Sequence, residues 1–151
     1  MNQTTIIVLA NSHKHGKHCV AGKQLDDLQW IRPVADKNGA ELSHTQVMYK
    51  NPHGTFPVKP LQKISIVIDC HVPLINQPEN YLIDGSQWVQ RYKIEKSDLP
   101  TLLDSPTNLW GTSNSVSYTA IKWKLLSIPQ SLYLVQVDDL KLFKNSDNKR
   151  R

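Results

Sequence analysis

Short apolar runs separated by polar turn residues fill the chain, and this pattern predicts β-strands rather than long helices. Residues 4–10 (TTIIVLA) are continuously apolar and β-branched, which is typical of a strand buried on both faces. In residues 61–74, Ile64, Ile66 and Ile68 alternate with other residues, which predicts a further strand. Strands are also predicted at 18–25, at 29–34, around Lys122-Trp123-Lys124 and at the start of 131–143. Pro33 predicts that the strand at 29–34 lies at an edge or ends there.

The segments between these runs carry proline, glycine or asparagine. They predict loops at 35–45, with an Asn38-Gly39 turn, and at 49–60, 76–84 and 105–118. Residues 97–104 predict one or two helical turns, with Ser97 as the N-cap. The whole pattern predicts a mostly β fold, a small barrel or sandwich with long decorating loops and one or two short helices.

Length and composition indicate one folded domain. The chain has 151 residues, of which 39% are hydrophobic and 21% charged, so it is expected to bury a core. No apolar run approaches the roughly 18 residues that a membrane helix needs, and the N-terminus lacks the features of a signal peptide. We therefore expect a cytoplasmic protein without a membrane partner, whose two cysteines are free thiols.

Charge points to an anionic partner. The formal net charge is +5, and no acidic residue precedes Asp26, whereas Lys14, Lys17 and Lys23 fall in that span. Residues 144–151 (KNSDNKRR) are strongly basic and are expected to form a flexible tail.

Residues 11–22 (NSHKHGKHCVAG) concentrate chemically active side chains, which suggest either a metal site or a catalytic nucleophile. His13, His15, His18 and Cys19 are metal-ligand types, but their spacing lacks the paired cysteines or histidines that are typical of zinc sites. Cys19 next to a histidine is a candidate nucleophile. Neighbouring residues of a strand point to opposite faces, however, so His18 is badly placed to act as its base.

An anion-binding interpretation fits the same stretch better. Lys14 and Lys17 around a turn can hold a phosphate, and Asn11 and Ser12 add neutral donors. Two residues apart on an extended segment, Trp30 and Arg32 share a face, which suits a base stacked on the indole and its phosphate on the guanidinium. The structural alternatives are a core position for Trp30 and an ion pair of Arg32 with Asp26 or Asp36.

Several motifs taken together resemble the dual OB-containing domain family of bacterial and phage proteins. They are, in order, VLANSHKHGKHCVAG, WIRPV, QPENYLID, LWG and SLYLVQVDDLKL, and they span residues 5 to 142. The opening motif of the family reads close to N-S-x-K-x-x-G-x-C-V-A-G. The residues that fit this motif are Asn11, Ser12, Lys14, Cys19, Ala21 and Gly22.

The resemblance implies oligonucleotide-binding (OB) type barrels and a role in binding nucleic acid or nucleotides, often in bacterial conflict. It implies no catalytic chemistry. The family often has arginine before the cysteine, where this chain has His18. Since the chain ends eight residues after Phe143, we expect a single OB-like barrel domain at 1–143, with the second barrel incomplete or absent, and a tail at 144–151.

Two later aromatics complete the candidate site. Tyr81 in QPENYLID and Trp110 in LWG can stack on bases, or else pack inward and cap a barrel end. The predicted ligand-binding residues are Asn11, Ser12, Lys14, Lys17, His18, Trp30, Arg32, Tyr81 and Trp110. The leading hypothesis is nucleic-acid or nucleotide binding without a cofactor, a metal or catalysis. The alternatives are a protein-interaction module or accessory subunit of a defence system, and an enzyme that acts on a nucleotide or nucleic acid through Cys19 or a histidine.

Overall fold

One mixed sheet organises the molecule. The computed structural model describes residues 2–109, 111 and 115–141, and nine strands lie within these ranges. They are β1 (Asn2–Lys14), β2 (Lys17–Gln24), β3 (Trp30–Val34), β4 (Leu42–Ser43), β5 (Met48–Asn51), β6 (Gly54–Pro57), β7 (Gln62–His71), β8 (Asn80–Ile83) and β9 (Trp88–Lys93). The helical segments are 3-10 helices at Thr45–Val47 and Lys96–Leu102, and α1 (Tyr118–Lys122).

Five of these strands close into a barrel. Their order is β1-β2-β3-β8-β7, and β7 pairs back with β1. The β3–β8 pair is parallel, whereas the other neighbours in the ring are antiparallel. The mostly β fold and the OB-like barrel predicted from the sequence are therefore confirmed. From β7 the sheet continues outward through β9, β5 and β6, while β4 pairs with the start of β2.

The barrel core explains the apolar patterns of the sequence. Ile6 and Val8 of β1 lie inside the barrel, whereas Ile7 between them packs outside it against Ile94 and Leu102. Because both faces of β1 are covered, its sequence is continuously apolar. The remaining core is aliphatic apart from two aromatic rings; its members include Val20, Ile31, Leu42, Val47, Tyr49, Val58, Ile64, Ile66, Ile68, Ile83 and Trp88.

A tight hairpin joins β1 to β2. Lys14 pairs with Lys17, so only His15 and Gly16 form the turn. Both turn residues have positive φ, 52° for His15 and 73° for Gly16, as the primed two-residue turns of β-hairpins require. The turn matches the right-handed twist of the strands, and it holds the two lysines opposite each other.

The first 104 residues depart from the predicted elements at several points. The loop predicted at 49–60 is wrong, because β5 and β6 form a hairpin there. Its prolines are tolerated since Pro52 lies between the strands and Pro57 ends the exposed strand β6. The irregular segment predicted at 76–84 contains β8, and β3 pairs on both sides rather than lying at an edge, its pairing with β2 ending before Pro33. β9 and the two-residue β4 have no counterpart among the predicted strands.

Departures also occur toward the C-terminus. The strand predicted around residues 122–124 is wrong, because α1 ends at Lys122 and Trp123 caps it. Among the described residues 131–141 there is no strand. The helical turns predicted at 97–104 are present as a 3-10 helix, which Glu95 caps instead of Ser97: the Glu95 N–H donates to Asp98 Oδ2 at 2.9 Å.

The helices of the described segments are short. None of the helices within these segments is long and apolar enough to cross a membrane. The predicted basic tail at 144–151 and Trp110 lie outside the described residues. The single-domain boundary at residue 143 stays a prediction.

Candidate functional site

The outer face of β2 and β3 carries two polar or aromatic side chains that are buried. Lys23 and Trp30 are direct cross-strand partners, and both lie outside the barrel core to which Ile31 belongs. Lys23 is only 3% exposed and Trp30 only 8%. Since they point away from the barrel interior, another part of the chain must cover them.

That cover is formed by two stretches, residues 102–104 and 131–134, which we call the strap. The Asp104 N–H donates to the Leu134 carbonyl at 2.8 Å, and the Leu134 N–H donates to Asp104 Oδ2, also at 2.8 Å. Leu102 and Leu134 pack in the second apolar cluster, around Ile7 and Ile94. The strap thus lies across the face on which the sequence analysis placed Trp30 and Arg32.

The Asp104 carboxylate is the centre of this contact. Lys23 Nζ lies 2.6 Å from Asp104 Oδ1 and also donates to the Leu102 carbonyl at 2.8 Å. Trp30 Nε1 donates to Asp104 Oδ2 at 3.0 Å, and the Lys23 ammonium sits 5.5 Å from the centroid of the Trp30 ring. Both carboxylate oxygens therefore have donors, and the ammonium has a cation–π contact besides its ion pair.

The pKa of Asp104 reflects opposing effects. Burial alone would raise this pKa, because desolvation disfavours the carboxylate. The hydrogen bonds from Lys23, the Leu134 N–H and Trp30, together with the positive charge of Lys23, outweigh burial and hold the pKa of Asp104 below its ordinary value. The group is therefore a carboxylate at neutral pH, and the ion pair is formed.

Arg32 is held at a second anchoring point of the strap. Its Nη2 donates to Glu79 Oε1 and to Ser131 Oγ, each at 3.1 Å. Ser131 in turn donates to Glu79 through its hydroxyl and its N–H. The ion pair predicted as the structural alternative for Arg32 is present, although its partner is Glu79 rather than Asp26 or Asp36. Arg32 Nε is buried and has no hydrogen-bond partner in the described structure.

The tip of the β1–β2 hairpin is the exposed part of the predicted site. Ser12, Lys14 and Lys17 are exposed, as are His13 and His15. Lys14 and Lys17 face each other across the hairpin. Among the described residues, neither ammonium group forms an ion pair. Like charges directly opposite each other destabilise a strand pair. In the described structure no acidic side chain compensates these two charges.

Behind the tip, a chain of hydrogen bonds fixes the orientation of His18. Asn11 Nδ2 donates to the Val58 carbonyl at 2.9 Å, which leaves Asn11 Oδ1 facing His18 Nδ1 at 3.1 Å. An amide oxygen only accepts, so His18 carries a proton on Nδ1. Its Nε2 lies 3.3 Å from His44 Nδ1, and neutral His18 accepts a hydrogen bond there. Asn11 and His18 therefore position the hairpin and the neighbouring turn.

Two further histidines surround His18. The ring centroids of His13 and His18 are 4.6 Å apart, and those of His18 and His44 are 5.5 Å apart. The pKa of His18 is lowered, mainly by burial and then by repulsion from His13 and His44. His18 is therefore neutral at pH 7, whereas an arginine at this position would carry a permanent charge.

The remaining aromatic candidates lie elsewhere. Tyr81 of β8 is half-buried, packs against the barrel core and contacts the His71 ring with centroids 4.5 Å apart. His71 Nε2 is 2.6 Å from the Pro78 carbonyl, which ties this pair to the β7–β8 loop. Trp110 lies outside the described residues, so its predicted role stays a prediction.

Two observations concern the metal and thiol chemistries considered from the sequence. In the described ranges, no group of three or more His, Cys, Asp or Glu side chains could hold a metal ion. Cys19 and Cys70 are half-buried free thiols.

The structure sorts the predicted residues into separate groups. Asn11, Ser12, Lys14, Lys17 and His18 come together at the hairpin. Trp30 and Arg32 share the β2–β3 face under the strap.

Sequence reasoning missed Lys23, Asp104 and His44 as parts of these two groups. A lysine inside the apolar run CVAGKQL does signal a buried cation, but nothing in the local sequence identifies its partner 81 residues away.

A protein-family model supports the same fold. The model for the dual OB-containing domain matches residues 4–151. Comparison with curated proteins and with solved structures returned no match. The family match covers nearly the whole chain, and the OB type of barrel in the family description agrees with the closed five-stranded barrel. The chain therefore belongs to the dual OB-containing domain family.

Proposed function

We propose that this protein binds single-stranded nucleic acid through the exposed tip of the β1–β2 hairpin. The observation that carries the proposal is the cross-strand pair of Lys14 and Lys17, which are exposed and unpaired with acidic groups in the described structure. A polyanion that runs past the tip would place phosphates against both ammonium groups.

The position of the hairpin within the barrel supports this role. In OB folds the loop between the first two strands and the faces of the second and third strands bind oligonucleotides. Here that loop is the His15-Gly16 turn, which holds Lys14 and Lys17 at its two ends. The exposed Ser12 hydroxyl and the His15 ring add hydrogen-bonding groups to the same tip. The net charge of +5 favours the approach of any polyanion.

Salt-dependent binding tests the proposal. Fluorescence anisotropy with labelled single-stranded DNA and RNA of one sequence measures the dissociation constant over a series of salt concentrations. The double variant Lys14→Ala/Lys17→Ala removes two phosphate contacts. We expect its log–log salt slope to be shallower by about 1.4, with affinity lower by roughly tenfold at low salt.

A matched variant separates a local site from net charge. Lys37→Ala/Lys50→Ala removes the same charge from two exposed lysines away from the hairpin, and we expect its affinity to stay within about twofold of the parent. Equal losses in both double variants would contradict a site at the hairpin. An absence of oligonucleotide binding by the parent protein at low salt would reject the proposed function.

A further inference from the structure

We propose that the Asp104 carboxylate occupies a phosphate site on the β2–β3 face, and that single-stranded nucleic acid takes this site when the strap is displaced. This inference rests on the proposed function and extends it to a second, covered part of the same barrel.

The donors around Asp104 are those that a phosphate would use. An ammonium at 2.6 Å, an indole N–H at 3.0 Å and a backbone N–H at 2.8 Å converge on its two oxygens. Lysine, neutral side-chain N–H groups and backbone N–H groups are also the common phosphate donors in nucleic-acid complexes. Two of the three donors, Lys23 and Trp30, belong to the barrel and stay in place when the strap moves.

The neighbouring Arg32 carries an independent sign of an unfilled site. Its Nε is buried, yet it has no hydrogen-bond partner within the described structure. A buried unsatisfied N–H is uncommon in folded proteins. The closed structure therefore satisfies this guanidinium incompletely, through the Ser131 hydroxyl of the strap and the Glu79 carboxylate that directly precedes β8. A phosphate oxygen offers an additional acceptor to the same side chain.

The covered face is continuous with the exposed hairpin. Lys17 and Lys23 lie on the same strand, β2, at positions that differ by an even number, so both project from the outer face. At about 3.3 Å per residue, the two positions are roughly 20 Å apart. One extended nucleic-acid strand that binds the hairpin tip could thus continue along β2 to the Trp30 ring.

The contacts of the strap suit reversible closure. In the described residues 131–134, no strand pairing holds the segment to the sheet. Its attachments include the Asp104–Leu134 hydrogen bonds, the Ser131 contacts and the packing of Leu134. A segment without ladder hydrogen bonds to the sheet opens at a lower free energy than the strands that it covers.

A charge variant tests the closure. Asp104→Asn weakens the grip of Lys23 on the strap, and we expect it to bind the labelled oligonucleotide at least about fivefold more tightly than the parent, because more molecules have the face open. Asp69→Asn is the matched control, since it removes one exposed carboxylate from β7 and changes net charge equally. Equal affinities of the two variants would overturn the inference.

Hydrogen exchange measured on the parent protein tests whether the oligonucleotide displaces the strap, and this measurement does not depend on the folding of a variant. We expect peptides covering residues 102–104 and 131–135 to exchange faster once the oligonucleotide is bound, because the backbone hydrogen bonds of Leu134 are released. Unchanged or slower exchange there, with binding still lost in Lys14→Ala/Lys17→Ala, would overturn the strap inference alone. An absence of binding in the parent and in Asp104→Asn would overturn it together with the proposed function.

Discussion

Lys23 and Asp104 form an ion pair at 2.6 Å, although 81 residues separate them in the sequence. The Lys23 side chain is 4% exposed and that of Asp104 is 19% exposed, so both groups have lost much of their hydration. In such a site each charge depends on its partner, because the unpaired charge would remain in a poorly hydrated environment. The ion pair therefore fastens the strap to the barrel.

Removing the ammonium group should destabilise the protein. We expect Lys23→Met to lower the free energy of unfolding by about 3 kcal/mol, because the Asp104 carboxylate loses its counter-ion and remains partly buried. Urea denaturation followed by circular dichroism measures the change. The matched control is Lys93→Met, whose ion pair with Glu95 has both side chains 69% exposed, and here we expect a loss under about 1 kcal/mol. Equal losses in the two variants would show that the buried pair does not fasten the strap.

Asp104 should also make the free energy of unfolding depend on pH in the acid range. Its pKa is lowered in the folded state, so folding favours the carboxylate, and the unfolded chain binds the proton more readily. The stabilisation is present above the ordinary aspartate value of 3.8 and is lost as the pH falls from there through the lowered pKa. Urea midpoints between pH 5 and pH 2 should fall less steeply in Asp104→Asn than in Asp69→Asn. Parallel curves for the two variants would exclude Asp104 as the acid-sensitive group.

The barrel was predictable because its signals are local. The continuous apolar run around Ile6 and the alternation from Ile64 to Ile68 report how each strand is buried, and both strands lie where the sequence predicts them. The short strands were not predictable in the same way. β8 and the β5–β6 hairpin have four residues per strand, too few to establish a period between neighbouring prolines.

The candidate site was predictable only in part, for a different physical reason. Lys14, Lys17 and the hairpin turn are neighbours in sequence, so their proximity follows from local chemistry. The environment of Trp30 depends on Asp104, and that of Arg32 depends on Ser131, which lies 99 residues away. The apolar residues of 131–134 suggest a strand, yet part of their burial comes from packing on the second cluster. Pattern analysis of one segment contains no information about such a partner.

Because of His18, the free energy of unfolding should decrease as the pH falls below neutrality. Its folded-state pKa is lowered, chiefly by burial, so the unfolded chain binds the proton more strongly. Stability should therefore decrease as the pH drops below the ordinary value of 6.5 toward the lowered pKa. Protonated His18 would also donate from both ring nitrogens, which removes the acceptor that His44 uses.

The measurement compares urea midpoints between pH 8 and pH 5. We expect His18→Gln to flatten this pH dependence, whereas His53→Gln, which replaces an exposed histidine away from the cluster, should leave it as in the parent. The same slope in both variants would mean that His18 does not govern stability in this pH range.

Gly22 should be intolerant of any side chain, because β1 and β2 approach closely at this point. A Cβ built on Gly22 would collide with the Ile7 carbonyl oxygen and lie 3.1 Å from Val8 Cα. The obstruction is backbone of the barrel itself, so it cannot move aside as a flexible side chain would. We expect Gly22→Ala to lower the free energy of unfolding by about 3 kcal/mol, as overpacking does in a tight core. Gly85→Ala is the control without steric crowding. Gly85 has a φ of +84° but nothing lies within 4 Å of its Cβ position. We therefore expect only the cost of backbone strain there, about 1 kcal/mol. A smaller loss for Gly22→Ala than for Gly85→Ala in urea denaturation would contradict the close strand approach.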